Sequence, residues 1–214
     1  MENQDVDSEK RRKAREKFKP KSVKWLLVAE APPGNPDRYF YYEEWSQYDD
    51  LFNEVIHSIY RYEFPEISVK SKRVKGPIKG MKPNREMIRP KKTKFLCLLK
   101  TDGFHLIDAV DRPLTKEEKK HCKQVVLDNI EDLEERMTSI STKETRVILI
   151  KESVCALKDN LVKRGFRVVN PFDIQFPNNS RQPNFRMGMH KVLKPYFKER
   201  KGKQQRQLDD LDSC

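Results

Sequence analysis

The residue whose position most suggests chemistry is Glu30, which directly follows the apolar run 24–29 and precedes a turn stiffened by Pro32 and Pro33. A carboxylate at the end of a buried strand is well placed to act as a base or to orient water. Four aromatic side chains follow at residues 39–42. A ring that faces a pocket can stack on a nucleobase, but packing onto the edge of a sheet is the interpretation that suits most of the four.

A second carboxylate, Asp108, lies in another apolar run, which begins at Phe104. It is a candidate for handling water or the charge that develops on a sugar ring during hydrolysis. The alternative is structural, because a residue at the end of a strand also caps the next turn or pairs with a neighbour such as Arg112. Both interpretations stay open from sequence.

Polar residues precede the last predicted helix, residues 184–198. A helix N-terminus beside an arginine suits a phosphate group, although an ordinary N-terminal cap has the same composition. Phe176 and Pro177 are a candidate wedge into a base stack. The candidate nucleic-acid contacts in this loop are Pro177, Asn178, Ser180 and Arg181.

Positive charge is concentrated in one segment. Between Lys70 and Lys94 there are eleven bases and a single acid, Glu86, in a chain whose net charge is +12. Because the segment also contains two glycines and three prolines, we predict a long loop rather than one regular element. It is either a phosphate-contacting arm whose binding falls steeply with salt or a solvated, flexible insert. Its candidate contacts are Lys72, Arg73, Lys75, Lys79, Lys82 and Arg85.

The elements that must position these residues alternate between strands and helices. Since the strand cores are apolar throughout, we predict an α/β fold, a three-layer α/β/α sandwich with a four-stranded parallel sheet. Ligands of such sheets bind beyond the carboxyl ends of the strands, which is where Glu30 and Asp108 fall. The predicted strands are 24–29, 104–110, 146–150 and 166–170, and the predicted helices are 48–62, 95–102, 115–137, 153–164 and 184–198.

Composition excludes several classes of protein. The chain is 36% hydrophobic and contains 11 Phe, 7 Tyr and 2 Trp, so a packed core is expected instead of full disorder. No apolar run approaches the roughly 18 to 20 residues that span a bilayer, and the N-terminus does not have the composition of a secretory signal. We therefore expect a soluble, cytoplasmic protein with nucleic acid, most simply DNA, as its partner and no membrane partner.

Metal and cofactor chemistry has no support in the spacing of residues. The four cysteines and four histidines are scattered, without a Cys-x-x-Cys or His-x-x-x-His pair, so we expect no metal and no cofactor. A small-molecule hydrolase or transferase also lacks support, because there is no Gly-x-Ser-x-Gly elbow and no phosphate-binding glycine loop.

We predict three parts of the chain. Residues 1–21 are a charged segment that we expect to be mobile, with a frayed helix near residues 11–17. Residues 22–199 form a single α/β domain with a basic insert at residues 64–94. Residues 200–214 are a polar tail that we also expect to be mobile.

Three segments resemble motifs of the uracil-DNA glycosylase superfamily. Ala29 to Pro33 resembles the Gly-Glu-Ala-Pro-Gly motif of the branch typified by the iron–sulfur glycosylases. Val147 to Leu157 is similar to the third-strand segment, which usually ends in a glycine before its helix. Phe176 to Ser180 falls where the superfamily places His-Pro-Ser. The resemblance, which runs in element order from about residue 24 to 196, implies a four-stranded parallel sheet in an α/β/α sandwich.

The resemblance also implies roles for individual residues. Glu30 takes the acidic position of the first motif, and Ala31 beside it is assigned to base binding. Tyr39 or Phe40 is the ring that stacks on a flipped base. Phe176 takes the place of the histidine of the His-Pro-Ser motif.

Three departures from the motifs bear on function. Phe176 stands in place of the histidine that would stabilise the leaving base, so one electrostatic contribution is absent. Asp108 is in the region where some branches read uracil with an asparagine amide, and a carboxylate donates no hydrogen bond unless it is protonated. The cluster cysteines are also missing, so no iron–sulfur centre is implied.

Two hypotheses about function follow. The first is a DNA glycosylase-like enzyme that flips a nucleotide and hydrolyses its N-glycosidic bond, with Glu30 and Asp108 as catalytic residues. The alternative is a catalytically silent nucleic-acid-binding module on the same fold. The missing histidine favours the module, whereas Glu30 and the aromatic loop favour the enzyme.

Overall fold

The structure, a computed structural model, describes residues 2–35, 37–44 and 49–200. All but the first residue of the predicted tail 200–214 therefore lies outside the described residues, as does Tyr48 of the predicted helix 48–62. The strands are β1 (Trp25–Ala29), β2 (Ser68–Lys70), β3 (Met81–Pro83), β4 (Phe104–Asp108), β5 (Arg146–Leu149) and β6 (Arg167–Val168). The helices are α1 (Glu2–Lys17), α2 (Asp50–Tyr60), α3 (Arg85–Ile88), α4 (Lys92–Asp102), α5 (Cys122–Asp128), α6 (Ile130–Ile140), α7 (Glu152–Cys155), α8 (Lys158–Lys163), α9 (Gln182–Val192) and α10 (Lys194–Arg200). In the described part of the chain, none of these helices combines the length and apolar character that crossing a bilayer requires.

The chain divides into two compact units. Unit one combines residues 1–42 with 98–173, and unit two combines residues 43–97 with 174–214. Sequence reasoning treated residues 22–199 as one domain interrupted by a basic insert at 64–94. The whole insert lies inside unit two, together with the last two helices.

Unit one is built on a parallel sheet in the strand order β4-β1-β5-β6. Strand β1 pairs over its whole length with β4, from Trp25 opposite Phe104 to Ala29 opposite Asp108, and on its other side with β5. All five residues of β1 are buried, as expected for a parallel strand covered on both faces. The prediction of an α/β fold with a four-stranded parallel sheet is confirmed, and the arrangement is consistent with three layers.

The core of unit one joins the sheet to helices α5 to α8. Apolar side chains of the strands and of these helices form one buried cluster, so the apolar periodicity of both element types is used against the same core. Members of this cluster are Val28, Ile107 and Leu149 from the strands and Val126, Leu133 and Leu161 from the helices.

The predicted helix 115–137 begins as expected and then breaks. The side chain of Glu118 accepts a hydrogen bond from the backbone N–H of Thr115 at 2.8 Å, and the Thr115 hydroxyl accepts one from the N–H of Glu118 at 3.2 Å. This is the capping box that the sequence predicts. It opens a single 3-10 turn at residues 118–120, and two separate helices, α5 and α6, follow it.

Helix α1 is longer than the frayed helix predicted at residues 11–17, since it begins at Glu2. Its last turns pack on unit one, because Arg15 pairs with Asp111 at 2.6 Å and Phe18 is buried and stacks on Tyr41 with ring centroids 6.4 Å apart. The mobility expected of residues 1–21 stays a prediction.

In unit two, the basic segment is not the irregular loop that sequence predicts. Residues 68–83 form an antiparallel hairpin in which Ser68 pairs with Pro83 and Lys70 with Met81. The short helix α3 and a 3-10 turn at residues 89–91 then lead into α4. The strands were missed because each has only three residues, too few for an alternating pattern to stand out.

Candidate functional site

Glu30 lies at the carboxyl edge of the sheet of unit one, directly after β1. Its backbone carbonyl accepts a hydrogen bond from the N–H of Val110 at 2.9 Å, which fixes the residue beside the end of β4. One oxygen of its carboxylate accepts a hydrogen bond from Lys151 Nζ, and the other accepts one from Ser153 Oγ at 2.5 Å. We call Glu30, Lys151 and Ser153 the Glu30 cluster. Two donors, one just before α7 and one within it, thus hold both oxygens of the candidate base.

Lys151 reaches Glu30 from a strained backbone position. It lies between β5 and α7 with φ 88° and ψ 142°, and in the described residues no other non-glycine residue has a positive φ. A side chain in this region costs on the order of 1–3 kcal/mol. Glycine would avoid that cost, so the strain at this position accompanies the contact that the lysine side chain makes with Glu30. The Lys151 side chain remains 36% exposed although it is ion-paired.

Sequence reasoning missed Lys151 and Ser153 as functional candidates. A signal was present, because both residues come just after the predicted strand 146–150, at the edge of the sheet where ligands of such folds bind. Nothing in the local pattern showed that the Lys151 side chain turns toward Glu30, which is 121 positions away along the chain.

Asp108 ends β4, next to Ala29 in the pairing register, and only 4% of it is exposed. Burial raises the pKa of its carboxyl to about 7, with a smaller contribution in the same direction from Asp111, while Arg15 and Arg136 act in the opposite direction. Near neutral pH a substantial fraction of this carboxyl is therefore protonated and able to donate a hydrogen bond.

Of the structural roles predicted for Asp108, pairing with Arg112 is not observed. Arg112 pairs with Glu118 at 2.6 Å, not with Asp108. Arg136 donates hydrogen bonds to the backbone carbonyls of Asp108 and Ala109 at 2.8 and 2.9 Å, so this guanidinium holds the end of the strand through its backbone.

The two candidate catalytic carboxyls, Glu30 and Asp108, have different partners. Glu30 is bonded to Lys151 and Ser153, whereas the charged groups that act on Asp108 are aspartate and arginine residues of other segments. Asp108 is level with Ala29, the residue before Glu30, in the pairing register. The two carboxyls thus follow the same end of neighbouring strands but are held by different groups.

The aromatic run 39–42 is buried, with none of its four residues more than 8% exposed. Tyr41 explains part of this, because its hydroxyl accepts a hydrogen bond from the N–H of Leu106 at 2.6 Å and donates one to the carbonyl of Leu106 at 3.0 Å. Strand β4 is at the edge of the sheet, so the Tyr41 hydroxyl satisfies backbone groups that lack a neighbouring strand.

The residues assigned to base binding take part in this packing. The ring of Phe40 lies edge-on to Tyr41 with centroids 5.1 Å apart, and Tyr39 lies 5.4 Å from Tyr42. Ala31 is half-buried and packs against the core of unit one. As the structure stands, neither Tyr39 nor Phe40 presents an open ring face, so the interpretation as packing on the sheet edge fits these rings better than base stacking does.

The predicted wedge and loop contacts belong to unit two. Phe176 is half-buried and Pro177 is buried, whereas Asn178, Ser180 and Arg181 are exposed. The carbonyl of Phe176 accepts a hydrogen bond from the N–H of Asn178 at 2.8 Å, and the carbonyl of Asn178 accepts one from the N–H of Arg181 at 2.8 Å. These turns lead into a 3-10 turn and then into α9, so the polar side chains do precede the helix as predicted.

The basic hairpin, residues 68–83, carries bases and no acid. The side chains of Lys72, Arg73, Lys75 and Lys82 are exposed, and that of Lys79 is half-exposed. Within the described residues, none of these five forms an ion pair. The hairpin therefore presents uncompensated positive charge. Its bases are Lys70, Lys72, Arg73, Lys75, Lys79 and Lys82.

The tip of the hairpin has a defined backbone. The hydroxyl of Ser71 accepts a hydrogen bond from the N–H of Val74 at 3.2 Å, and the N–H of Ser71 donates to the carbonyl of Gly80 at 2.7 Å. A Cβ at Gly80 would lie 2.6 Å from the carbonyl oxygen of Gly76 and 2.8 Å from that of Val74, so only glycine fits there.

A buried ion pair anchors this tip. The guanidinium of Arg186 on α9 donates to Glu54 of α2 at 2.6 Å and to the backbone carbonyl of Lys79 at 3.1 Å. Both partners of the pair are almost fully buried, at 3% and 2%. Removing one member of such a pair is strongly destabilising, because it leaves an uncompensated buried charge.

Two bases of the predicted arm have structural partners instead. Arg85 pairs with Asp50, and Lys92 pairs with Asp49 at 2.5 Å while remaining only 2% exposed. Arg85 is therefore a weaker candidate for a phosphate contact than the bases of the hairpin, since its charge is already compensated.

Comparison with known proteins adds no relative to these observations: no family model, curated protein or solved structure matches the chain. Among the described residues, no group of three or more His, Cys, Asp or Glu side chains is arranged to hold a metal ion.

Proposed function

We propose that this protein binds nucleic acid, with DNA as its first candidate partner, and that the basic hairpin is its phosphate-contacting element. The observation that carries the proposal is the concentration of exposed, unpaired bases on one ordered hairpin. Arg186 anchors that hairpin through a hydrogen bond to the backbone carbonyl of Lys79. Bases held on a fixed backbone contact phosphates with less loss of conformational entropy than bases on a flexible loop.

The test compares two sets of three substitutions by the salt dependence of DNA binding. In the first, Lys72, Arg73 and Lys75 are replaced with Gln. In the matched control, three exposed bases of unit one, Lys116, Lys119 and Lys123, are replaced with Gln. Both variants lose the same charge, so any difference reports where the phosphates are contacted.

Fluorescence anisotropy with a labelled duplex, measured over a series of salt concentrations, gives the readout. Each phosphate contact on duplex DNA contributes about −0.9 to the slope of log K against log salt. We expect the magnitude of this slope to fall by about 2 to 3 in the hairpin variant and to be nearly unchanged in the control. Equal losses would mean that binding depends on total charge and would contradict the assignment to the hairpin.

A second candidate function, hydrolysis of an N-glycosidic bond, is favoured by the Glu30 cluster. Its carboxylate lies beyond the end of a parallel strand, where such folds bind ligands, and two donors orient it. In the reaction, water adds to C1′ of the sugar as the bond from C1′ to the base breaks, the departing base takes a proton, and a carboxylate accepts the proton of water or stabilises the cationic sugar.

Oligonucleotides that each carry one modified base, in duplex and single-stranded form, test this second function through the formation of abasic sites. If base release occurs, Glu30→Gln should abolish it while binding to DNA is largely retained. Release at the wild-type rate by that variant would remove Glu30 from the chemistry. If no base is released while salt-sensitive binding persists, the protein is a binding module.

A further inference from the structure

Tyr62 presents an aromatic ring to solvent in unit two. It follows α2 and is 55% exposed, the largest exposed fraction for an aromatic side chain in the described part of the chain. An exposed tyrosine ring is a hydrophobic surface with a polar end, and such rings are enriched at binding sites.

Neighbouring rings hold Tyr62 in place. It lies edge-on to Phe197, with ring centroids 5.1 Å apart and planes at 84°. His190 in turn stacks on Phe197 at 5.6 Å and 27°. The ring is therefore exposed and yet ordered, so binding through it costs little conformational entropy.

Arg61 places a buried cation over one face of this ring. Its guanidinium carbon lies 4.7 Å from the centroid of Tyr62, and only 6% of Arg61 is exposed, so the other face and the edge of the ring are what a ligand can reach. Its Nη2 donates hydrogen bonds to Nδ1 of His190 at 2.8 Å and to the hydroxyl of Tyr62 at 3.3 Å. Because Arg61 can only donate, Nδ1 of His190 must accept, which requires a neutral imidazole. In agreement, burial and the charge of Arg61 lower the pKa of His190.

The surroundings of Tyr62 are basic. Lys191 and Lys194 are exposed on α9 and α10, and the adjacent acid, Glu63, is paired with Arg200 at 3.2 Å. The basic hairpin begins only six residues after Tyr62, so its first residue is at most about 20 Å away. An exposed ring backed by a guanidinium suits a nucleobase, and exposed lysines on the helices that carry His190 and Phe197 suit its phosphates.

We propose that Tyr62 is a stacking platform for an unpaired nucleobase, so that the protein prefers single-stranded to duplex nucleic acid. The inference rests on the proposed nucleic-acid binding and adds the form of nucleic acid that is bound. A base inside a duplex is already stacked on both faces and cannot reach the ring without being unstacked, whereas a single strand offers its bases directly.

The experiment measures the affinity of the full-length protein for a short oligothymidylate that contains one 2-aminopurine, and for the same strand in a duplex. Three variants are compared with the wild type. Tyr62→Ala removes the ring, Tyr62→Phe keeps it without the hydroxyl, and Tyr62→Leu keeps apolar bulk without a π-face. Phe172→Ala, at the exposed aromatic residue of unit one, is the control for loss of a surface ring.

We expect Tyr62→Ala and Tyr62→Leu to bind the single strand about tenfold more weakly than the wild type. Their duplex affinity should be nearly unchanged, and Tyr62→Phe and Phe172→Ala should behave as the wild type does. The 2-aminopurine fluorescence should be quenched on binding by the wild type and Tyr62→Phe, but not by Tyr62→Leu.

Equal loss for single strand and duplex, or no loss for the single strand, would overturn the stacking role. Duplex binding that depends on the hairpin bases, without any preference for the single strand, would also overturn it while leaving the proposed function intact. Absence of binding to both forms would instead remove the proposed function, and the stacking role with it.

Discussion

Asp108 ends β4 and Glu30 directly follows the neighbouring strand β1, but their environments differ in kind. Glu30 is held by the ammonium group of Lys151 and the hydroxyl of Ser153, which lie just before and within α7, after strand β5. Asp108 has buried surroundings that raise the pKa of its carboxyl to about 7. Two carboxyls near the same end of neighbouring parallel strands can thus differ in their surroundings.

The difference separates two uses of a polar group at this edge. The Glu30 cluster keeps a partly exposed cation and accepts backbone strain at Lys151, which folding alone does not require. Around Asp108, guanidinium groups hold backbone carbonyls and a neighbouring aspartate, which are contacts that stabilise the fold. We infer that the Glu30 cluster faces a ligand and that Asp108 belongs to the framework.

The largest effect is expected for Asp108→Asn, as a change in how stability depends on pH. In the unfolded chain this carboxyl titrates near its ordinary value of 3.8, and in the folded protein near 7. Between these values the folded state binds the extra proton, so the wild type loses stability as pH rises from about 4 to about 7, by on the order of 4 kcal/mol at most from this group. Asparagine has no proton to lose, so the variant should gain stability relative to the wild type across that window.

Urea denaturation at several pH values between 4 and 8 measures this change. Burial also raises the pKa of Glu54 to about 7, so the absolute slope of the wild type combines both groups, and only the difference between variant and wild type isolates Asp108. The variant Asp159→Asn, at an exposed carboxyl on α8, corrects for the general effect of removing a negative charge. A constant difference over the whole range would show that Asp108 is ionised in the folded protein throughout.

The next largest effect compares Lys151→Gly with Lys151→Ala. Both variants lose the ion pair with Glu30, but only glycine relieves the positive φ of 88°. We expect the glycine variant to be more stable than the alanine variant by about 1–3 kcal/mol, reduced somewhat by the extra chain entropy of glycine.

Thermal or chemical denaturation of both variants gives this difference directly. If the glycine variant is also at least as stable as the wild type, lysine is retained at this position for a reason other than folding. Equal stability of the two variants would mean that the backbone at residue 151 is not strained, and the argument for a functional lysine would fail.

The sheet was predictable because its strands are runs of buried apolar residues. The segments 24–29, 104–110 and 146–150 each contain the observed strand, since a parallel strand covered on both faces must be apolar along its length. The fourth strand, β6, has only Arg167 and Val168. It is an outer strand of the sheet, and its arginine is exposed.

The site was less predictable because its contacts join distant parts of the chain. Glu30 was identifiable from its place after a strand, but its partner Lys151 lies in a different loop, and Arg186 meets the carbonyl of Lys79 at a separation of 107 residues. The aromatic run 39–42 was ambiguous for another reason: a buried tyrosine needs a hydrogen-bond partner, and the edge strand that supplies it at Leu106 cannot be recognised without the topology.

A smaller effect is expected for Arg15→Met, which probes the Asp108 side of the comparison. Arg15 pairs with Asp111, whose side chain is 41% exposed, so the loss of that pair should cost only about 1 kcal/mol. Arg15 also holds down the pKa of Asp108. Removing Arg15 should raise that pKa further and make the loss of stability larger at pH 8 than at pH 5, as measured by urea denaturation. In the Asp108→Asn background this pH difference should disappear, and its persistence there would assign it to another group.

The smallest effect on stability is expected for Glu30→Gln, although its effect on function should be the largest. Glutamine keeps an oxygen that can accept the hydrogen bond of Ser153, and Lys151 is exposed enough to turn toward water, so the free energy of unfolding should fall by less than about 1 kcal/mol. A loss of about 3 kcal/mol or more in chemical denaturation would place Glu30 in the framework beside Asp108 and erase the contrast between them. A small loss of stability, together with abolished base release, would show that the carboxylate is needed for the reaction and not for the fold. The strained backbone at Lys151, which holds this carboxylate, would then serve the reaction as well.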